Sequence, residues 1–190
     1  MKNKKNSGFT LIELIVIIAI MAVLTGSFAV SLALISRQKV ANAGNSMKQL
    51  IQLAQTYARS KDNCLVAIEG TSEGDSNVYI YTYDDKDVTD RSKWKLGNGP
   101  SNINKKITTI VEFENGKSVT ISDGVVVYLL FNRTTGGFEP VEVPGYPDPS
   151  DPSKNVKEYP SKIVFTNGSK TTKLVLAKHT GVITFESQNS

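Results

Sequence analysis

Residues 8–13 read Gly8-Phe9-Thr10-Leu11-Ile12-Glu13, and residues 14–35 continue as LIVIIAIMAVLTGSFAVSLALI. From Phe9 to Ile35 the run carries one charge, Glu13, close to its start. At about 1.5 Å per residue a helix over this run is roughly 40 Å long, enough to span a bilayer with some tilt. A carboxylate at bilayer depth costs roughly 2.5–3.5 kcal/mol on insertion scales, so Glu13 calls for a partner. Residues 1–7 are polar and hold Lys2, Lys4 and Lys5. Lysines beside an apolar segment stay on the cytoplasmic side. A secretory signal peptide competes with this reading, but its apolar region should be only about 7–15 residues long. Ser27-Phe28-Ala29 offers a cleavage site of sorts, yet the run is too long. A plain membrane anchor leaves Glu13 unexplained.

Length, charge and cysteine count limit the remainder of the chain. The protein has 190 residues and a formal net charge of +4, with one His and one Cys. About 130 residues beyond the helical part suffice for one domain with a modest core. The mild positive charge does not by itself argue for nucleic-acid binding. A single cysteine, Cys64, excludes an intramolecular disulfide, and it reads as a small buried hydrophobe at a helix-to-strand junction. No nucleophile–base pair, P-loop or metal-ligand spacing is legible. The sequence is therefore read as that of a non-enzyme, with no cofactor and no metal.

Past Ile35 the composition changes while the helical period persists. In SRQKVANAGNSMKQLIQLAQTYARSK (36–61) apolar residues recur at Val40, Ala43, Met47, Leu50, Ile51, Ala54, Tyr57 and Ala58. This spacing predicts one stripe of a helix that lies on a sheet. Gly26-Ser27 interrupts the apolar half, as a bend, a close-packing point or a tolerated glycine. From Cys64 on, CLVAIE, VYIYTY, KITTIVEF, KSVTI, VVVYLLF, KIVFT, KLVLA and VITF read as strands, rich in β-branched and aromatic residues. Turn pairs such as Asn115-Gly116, Asp123-Gly124, Asn167-Gly168 and Thr180-Gly181 separate them, which predicts antiparallel hairpins and a C-terminal three-stranded meander. The proline-rich stretch 143–155 is expected to be an exposed, stiff loop. Asp148 and Asp151 lack the spacing of a calcium loop. Asp84, Asp85 and Asp87 read as a solvated turn. Tyr79, Tyr81 and Tyr83 share one strand face, expected to pack on the helix stripe or on another strand. His179, beside a turn glycine, is expected to be exposed.

The fold class is thus α+β: a long N-terminal helix, apolar then amphipathic, packed on a C-terminal antiparallel β-sheet head. A basic leader, then Gly8-Phe9-Thr10-Leu11-Ile12-Glu13, then a long apolar helix closely resembles the class III signal of type IV pilins and type II secretion pseudopilins. The resemblance covers about the first 35 residues. The C-terminal meander is similar to that of H-type pseudopilins and FimT-like minor pilins. The resemblance implies a pilin-like fold and cleavage by a prepilin peptidase between Gly8 and Phe9. It also implies methylation of the new N-terminus at Phe9, and pairing of Glu13 with the amine of a neighbouring subunit. The implied segments are a leader (1–8), a transmembrane and filament-core helix (9–35), an amphipathic helix (36–61) and a β-rich head (62–190). The implied partners are the prepilin peptidase, other pilin or pseudopilin subunits, an assembly platform protein and, before assembly, membrane lipid. The implied location is a single pass of the cytoplasmic membrane with the head outside, then a filament.

Two functional readings fit these residues. In the first, the chain is a structural subunit that polymerises through its N-terminal helix, with Glu13 setting the stagger. Pilus, secretion and competence systems all remain open. In the second, it is a membrane- or filament-displayed binding module for DNA or surfaces. Lys170, Lys173 and Lys178 are then the candidate nucleic-acid contacts.

Overall fold

The computed structural model describes residues 9–60, 63–83, 91–103 and 106–186; for 26–33 and Ser36 it describes the helical backbone but not the side chains. Gly8 and the acidic run Asp84, Asp85 and Asp87 lie outside the described residues. One helix, α1, runs Leu11–Ser60, and Gly26-Ser27 does not end it. By packing, the chain divides between Gln38 and Lys39.

In the first unit, the side chains from Phe9 to Leu24 are apolar all round apart from Thr10 and Glu13 and exposed on every face, from Phe9 (80%) to Ile17 (39%). The hydroxyl of Thr25 donates back to the Met21 carbonyl at 2.6 Å, which satisfies it without water. Among the described residues no helix is long and apolar enough to cross a membrane. Side chains are described up to Thr25 and again at Leu34 and Ile35 but not for 26–33, so the single-pass expectation rests on the sequence of the run.

In the second unit, α1 from Lys39 on buries Val40, Ala43, Met47, Ile51, Ala54 and Ala58, as the stripe predicts. Leu50 is half-buried, and Tyr57 is exposed rather than part of the stripe. Arg59 in the last turn faces the carbonyl end of the helix dipole and donates to the Thr135 carbonyl at 2.8 Å.

Among the described residues, eleven strands come after the helix, in two sheets and a ribbon. The first sheet holds β1 (Asn63–Gly70), β2 (Ser76–Tyr83), β3 (Lys95–Ile103) and β6 (Val126–Leu130), in the order β3-β2-β1-β6. The second holds β4 (Thr108–Phe113), β5 (Ser118–Thr120), β9 (Pro160–Thr166), β10 (Thr171–Leu176) and β11 (Ile183–Phe185), in the order β11-β10-β9-β4-β5. The ribbon pairs β7 (Val141–Asp148) with β8 (Asp151–Glu158). Every strand pair is antiparallel, and β9-β10-β11 is the predicted meander. Alternation along β1 sends Cys64, Val66 and Ile68 into one core with the helix stripe, Val78, Ile80 and Leu129. Cys64 is buried there, as expected. Ile163, Phe165 and Leu174 of the second sheet join the same core.

The head is antiparallel and β-rich as expected, its strands forming two sheets and a ribbon. Two segments differ from the sequence reading. The proline-rich loop is a hairpin: among the described residues β7 and β8 pair only with each other, and their register jumps on both sides of Pro147, where a ladder donor is missing. Residues 95–103, not predicted as a strand, form β3. It lies at a sheet edge with register shifts against β2, where Gly97, Gly99 and Pro100 are tolerated.

Candidate functional site

The class III segment opens α1. Leu11 is the first helical residue, and Thr10 stands at the N-cap. The Thr10 backbone N–H donates to Glu13 Oε2 at 3.0 Å, and the Thr10 hydroxyl donates to the same oxygen at 3.1 Å. The Glu13 backbone N–H donates back to Thr10 Oγ1 at 3.2 Å. This is a reciprocal capping box, two orphan donors of the first turn satisfied by one pair of side chains. Thr10-x-x-Glu13 is the sequence signature of such a box, a signal overlooked when Glu13 is weighed only as a lone charge. The contacts converge on Oε2. Among the described residues Oε1 accepts no hydrogen bond, although a carboxylate has room for about four. Glu13 therefore starts the helix and still presents an open oxygen to an incoming cation. Phe9 is among the most exposed apolar residues, one position before the cap.

The three candidate lysines are not brought together as a patch. Lys170 is exposed in the β9–β10 turn, where its backbone N–H donates to Asn167 Oδ1. Lys173 pairs with Glu186 at 3.0 Å. Lys178 pairs with Glu114 at 2.9 Å and stands over the Tyr159 ring at 3.6 Å. Two of the three cations thus already face carboxylates within their own chain. Lys162 also holds Glu186, at 2.7 Å. Hydrogen bonds from Lys162 and then Lys173 hold the Glu186 carboxyl below the ordinary carboxylate range.

At the ribbon tip, Asp148 Oδ1 accepts from the Ser150 hydroxyl and backbone N–H, and Asp151 Oδ1 accepts likewise from Ser153. Those hydroxyls hold both carboxyls below their ordinary range. The two aspartates build a turn, and no group of three or more metal-ligating side chains occurs among the described residues. His179 is exposed, as expected.

Tyr79 and Tyr81 share a strand face but not the one that meets the helix. The buried alternates of β2 are Ser76, Val78 and Ile80. The two tyrosines stack on the opposite face, ring centroids 5.7 Å apart, and Tyr81 meets Trp94 at 5.6 Å. Arg91 opens the short helical turn Arg91–Lys93 and Trp94 follows it directly before β3, a segment that no pattern in the sequence singles out.

A family model described as the prokaryotic N-terminal methylation motif matches residues 3–29. No curated protein and no solved structure matches the chain. The motif covers most of the leader, the capping box and much of the apolar run. It supports a processed subunit of the type IV pilin-like class.

Proposed function

We propose that the chain is a minor-pilin- or pseudopilin-like subunit, cut between Gly8 and Phe9, methylated at Phe9 and assembled through its N-terminal helix. The observation that carries the reading is the matched motif over residues 3–29, together with the geometry of Glu13 inside it. Before assembly the helix sits in the cytoplasmic membrane with the head outside. Apolar side chains gain little by moving from lipid to a bundle of like helices, because lipid tails are as apolar as leucine. The directional contribution must come from a polar contact. Cleavage makes an α-amino group at Phe9, with a reference pKa of about 7.7–8.0, so it is mostly cationic at neutral pH. Glu13 Oε1 of an adjoining subunit accepts it, which relieves the cost of an isolated carboxylate and fixes the axial step. Such a pair is stronger as a register device than as a source of net stability.

The experiment is co-expression of the full chain with and without a prepilin peptidase, then mass spectrometry of the N-terminal peptide. The expected mature N-terminus is methyl-Phe9. An uncut chain, or a start after Ala29, overturns the reading. The DNA-binding alternative has less support, because Lys173 and Lys178 already have carboxylate partners.

A further inference from the structure

On the face of β1 that points away from the helix, Leu65 and Ala67 are fully buried. Their cover includes aromatic rings. Across the sheet, Ala67 is flanked by Tyr79 and Tyr128, and Leu65 by Tyr81 and Leu130. Trp94 reaches over this face, its ring 5.6 Å from Tyr81 and 5.3 Å from Tyr128, edge-on to the latter at 90°. Between this wall and the β7–β8 ribbon lies a cavity of about 490 Å³. Its size falls within the roughly 300–1,000 Å³ of small-molecule sites. Trp94, Tyr128 and Leu65 form its apolar side, while Arg91, Glu142, Asn155 and Lys157 bring polar groups to it. Neither reading of the N-terminal helix uses this cavity.

The chemistry of the walls selects among ligands. A cation would compete with Arg91, whose guanidinium already lies 5.8 Å from the Trp94 centroid and 5.5 Å from that of Tyr128. A polyanion would meet Glu142, and the Arg91 charge is already held by Glu69 at 2.6 Å. A purely aliphatic ligand would strip water from charged groups and offer them nothing in return. Two rings at right angles form a corner rather than a slot, which suits a puckered ring better than a flat one. The polar groups supply both donors and acceptors, as a set of hydroxyls requires. Burial also raises the Tyr128 and Tyr81 phenols above their ordinary range, so both remain neutral at physiological pH.

We infer that the cavity between Trp94, Tyr128 and the β7–β8 ribbon is a binding site for a neutral saccharide ring. One C–H face of the sugar lies on the Trp94–Tyr128 corner, and its hydroxyls face Arg91, Glu142 and Asn155. The site lies wholly in the second unit and stands or falls independently of processing and assembly.

Trp94 is the only tryptophan in the chain, so its emission reads occupancy directly. The full chain, in a detergent without a sugar headgroup, is titrated with neutral oligosaccharides built on glucose, galactose, mannose and N-acetylglucosamine. The expected result is a saturable emission change for at least one of them, with a Kd of about 1 mM or tighter. It should be unchanged between low and high salt. Glu142→Gln and Tyr128→Ala should each weaken it about tenfold, a change of about 1.4 kcal/mol, while Thr56→Ala on the exposed helix face leaves it alone. Glu142 is exposed, so its variant stays folded even if the Tyr128 variant does not. Silence across the whole panel to about 10 mM overturns the proposal, since a weaker site gains little affinity from its walls. So does a response that Glu142→Gln leaves intact. A response to a short oligodeoxyadenylate alone, lost steeply with salt, makes the cavity a nucleic-acid site instead.

Discussion

Thr10 and Glu13 hold each other across the first turn of α1, each side chain bonded to the other's backbone N–H at 3.0–3.2 Å. The one charge in the apolar run therefore has a local task, and that task can be separated from assembly. Glutamine also serves at the third helical position of a capping box. Glu13→Gln should keep the helix start and cleavage after Gly8, but remove the anion that an incoming amine needs. The subunit content of sheared filaments should fall about tenfold or more, since a bond to a charged group contributes about 1.5–3 kcal/mol. Thr10→Ala should cost about 1 kcal/mol of helix start and affect assembly less. The reverse order, with Thr10→Ala the more damaging, assigns Glu13 to capping alone.

Acid should loosen the C-terminal strands. Lys162 and Lys173 depress the folded-state pKa of Glu186, and serine hydroxyls depress those of Asp148 and Asp151. A depressed carboxyl binds fewer protons folded than unfolded. Its contribution is therefore complete above the ordinary carboxylate range and lost as pH falls through the folded value. The Tm should be level near neutrality and drop as pH goes from about 5 toward about 3. Glu186→Gln should flatten part of that drop. Thermal melts of both proteins across this range, at low salt, decide it; parallel curves mean that the lysine clamp does not contribute.

Several features of this molecule were legible because one local pattern decides each of them. The stripe from Val40 to Ala58 has helical period, and residues 162–185 alternate strand signals with Asn-Gly and Thr-Gly turns, so both match the structure. The strand β3 was hidden because its sequence, KLGNGPSNI, has little β propensity, and only an edge position with irregular register accommodates it. The β7–β8 ribbon was hidden because four prolines signal a loop, and a two-stranded ribbon demands few ladder donors. Tyr57 stands seven residues from half-buried Leu50, on the flank of the stripe rather than on its centre line through Ala54 and Ala58. The tyrosine face of β2 could be recognised as a face, but which side the helix takes depends on Val78 and Ile80. The cavity beside Trp94 joins residues from a helical turn, a sheet and a ribbon, whose proximity no local pattern encodes.

Gln55 ties the helix to two loops distant in sequence. Its buried side-chain amide donates to the Gly136 carbonyl at 3.0 Å and the Gly181 carbonyl at 2.7 Å. Gly181 has φ of +69°, and a Cβ there would run into the Gly136 carbonyl. Gln55→Leu leaves both carbonyls without this donor, at about 1–3 kcal/mol for each that water does not reach. Melting should fall by about 2–4 °C per kcal/mol for a domain of this size. Gln55→Glu should be no better, because a carboxylate cannot donate. Denaturant or thermal melts of the two variants check this; a Gln55→Leu variant as stable as the parent removes the amide from the account.

Gly44 sets how closely the helix approaches the second sheet. A Cβ at this position would lie 2.8 Å from Thr172 Cγ2 and 3.1 Å from Phe185 Cε1. Two effects of Gly44→Ala oppose each other. The helix gains about 1 kcal/mol of propensity, and the packed interface loses about 1–3 kcal/mol to crowding. The balance runs from no change to a destabilisation of about 2 kcal/mol, so the single variant does not isolate the contact. Thr172→Ser removes the methyl that Cβ meets first. In the Thr172→Ser background Gly44→Ala should turn stabilising, with a coupling energy of about 0.5–3 kcal/mol in the double-mutant cycle. Gly44→Leu should destabilise in either background, because its extra carbons still meet Phe185. A cycle that closes with no coupling would show that the helix and sheet shift apart freely, and that the fit at Gly44 does not hold the head together.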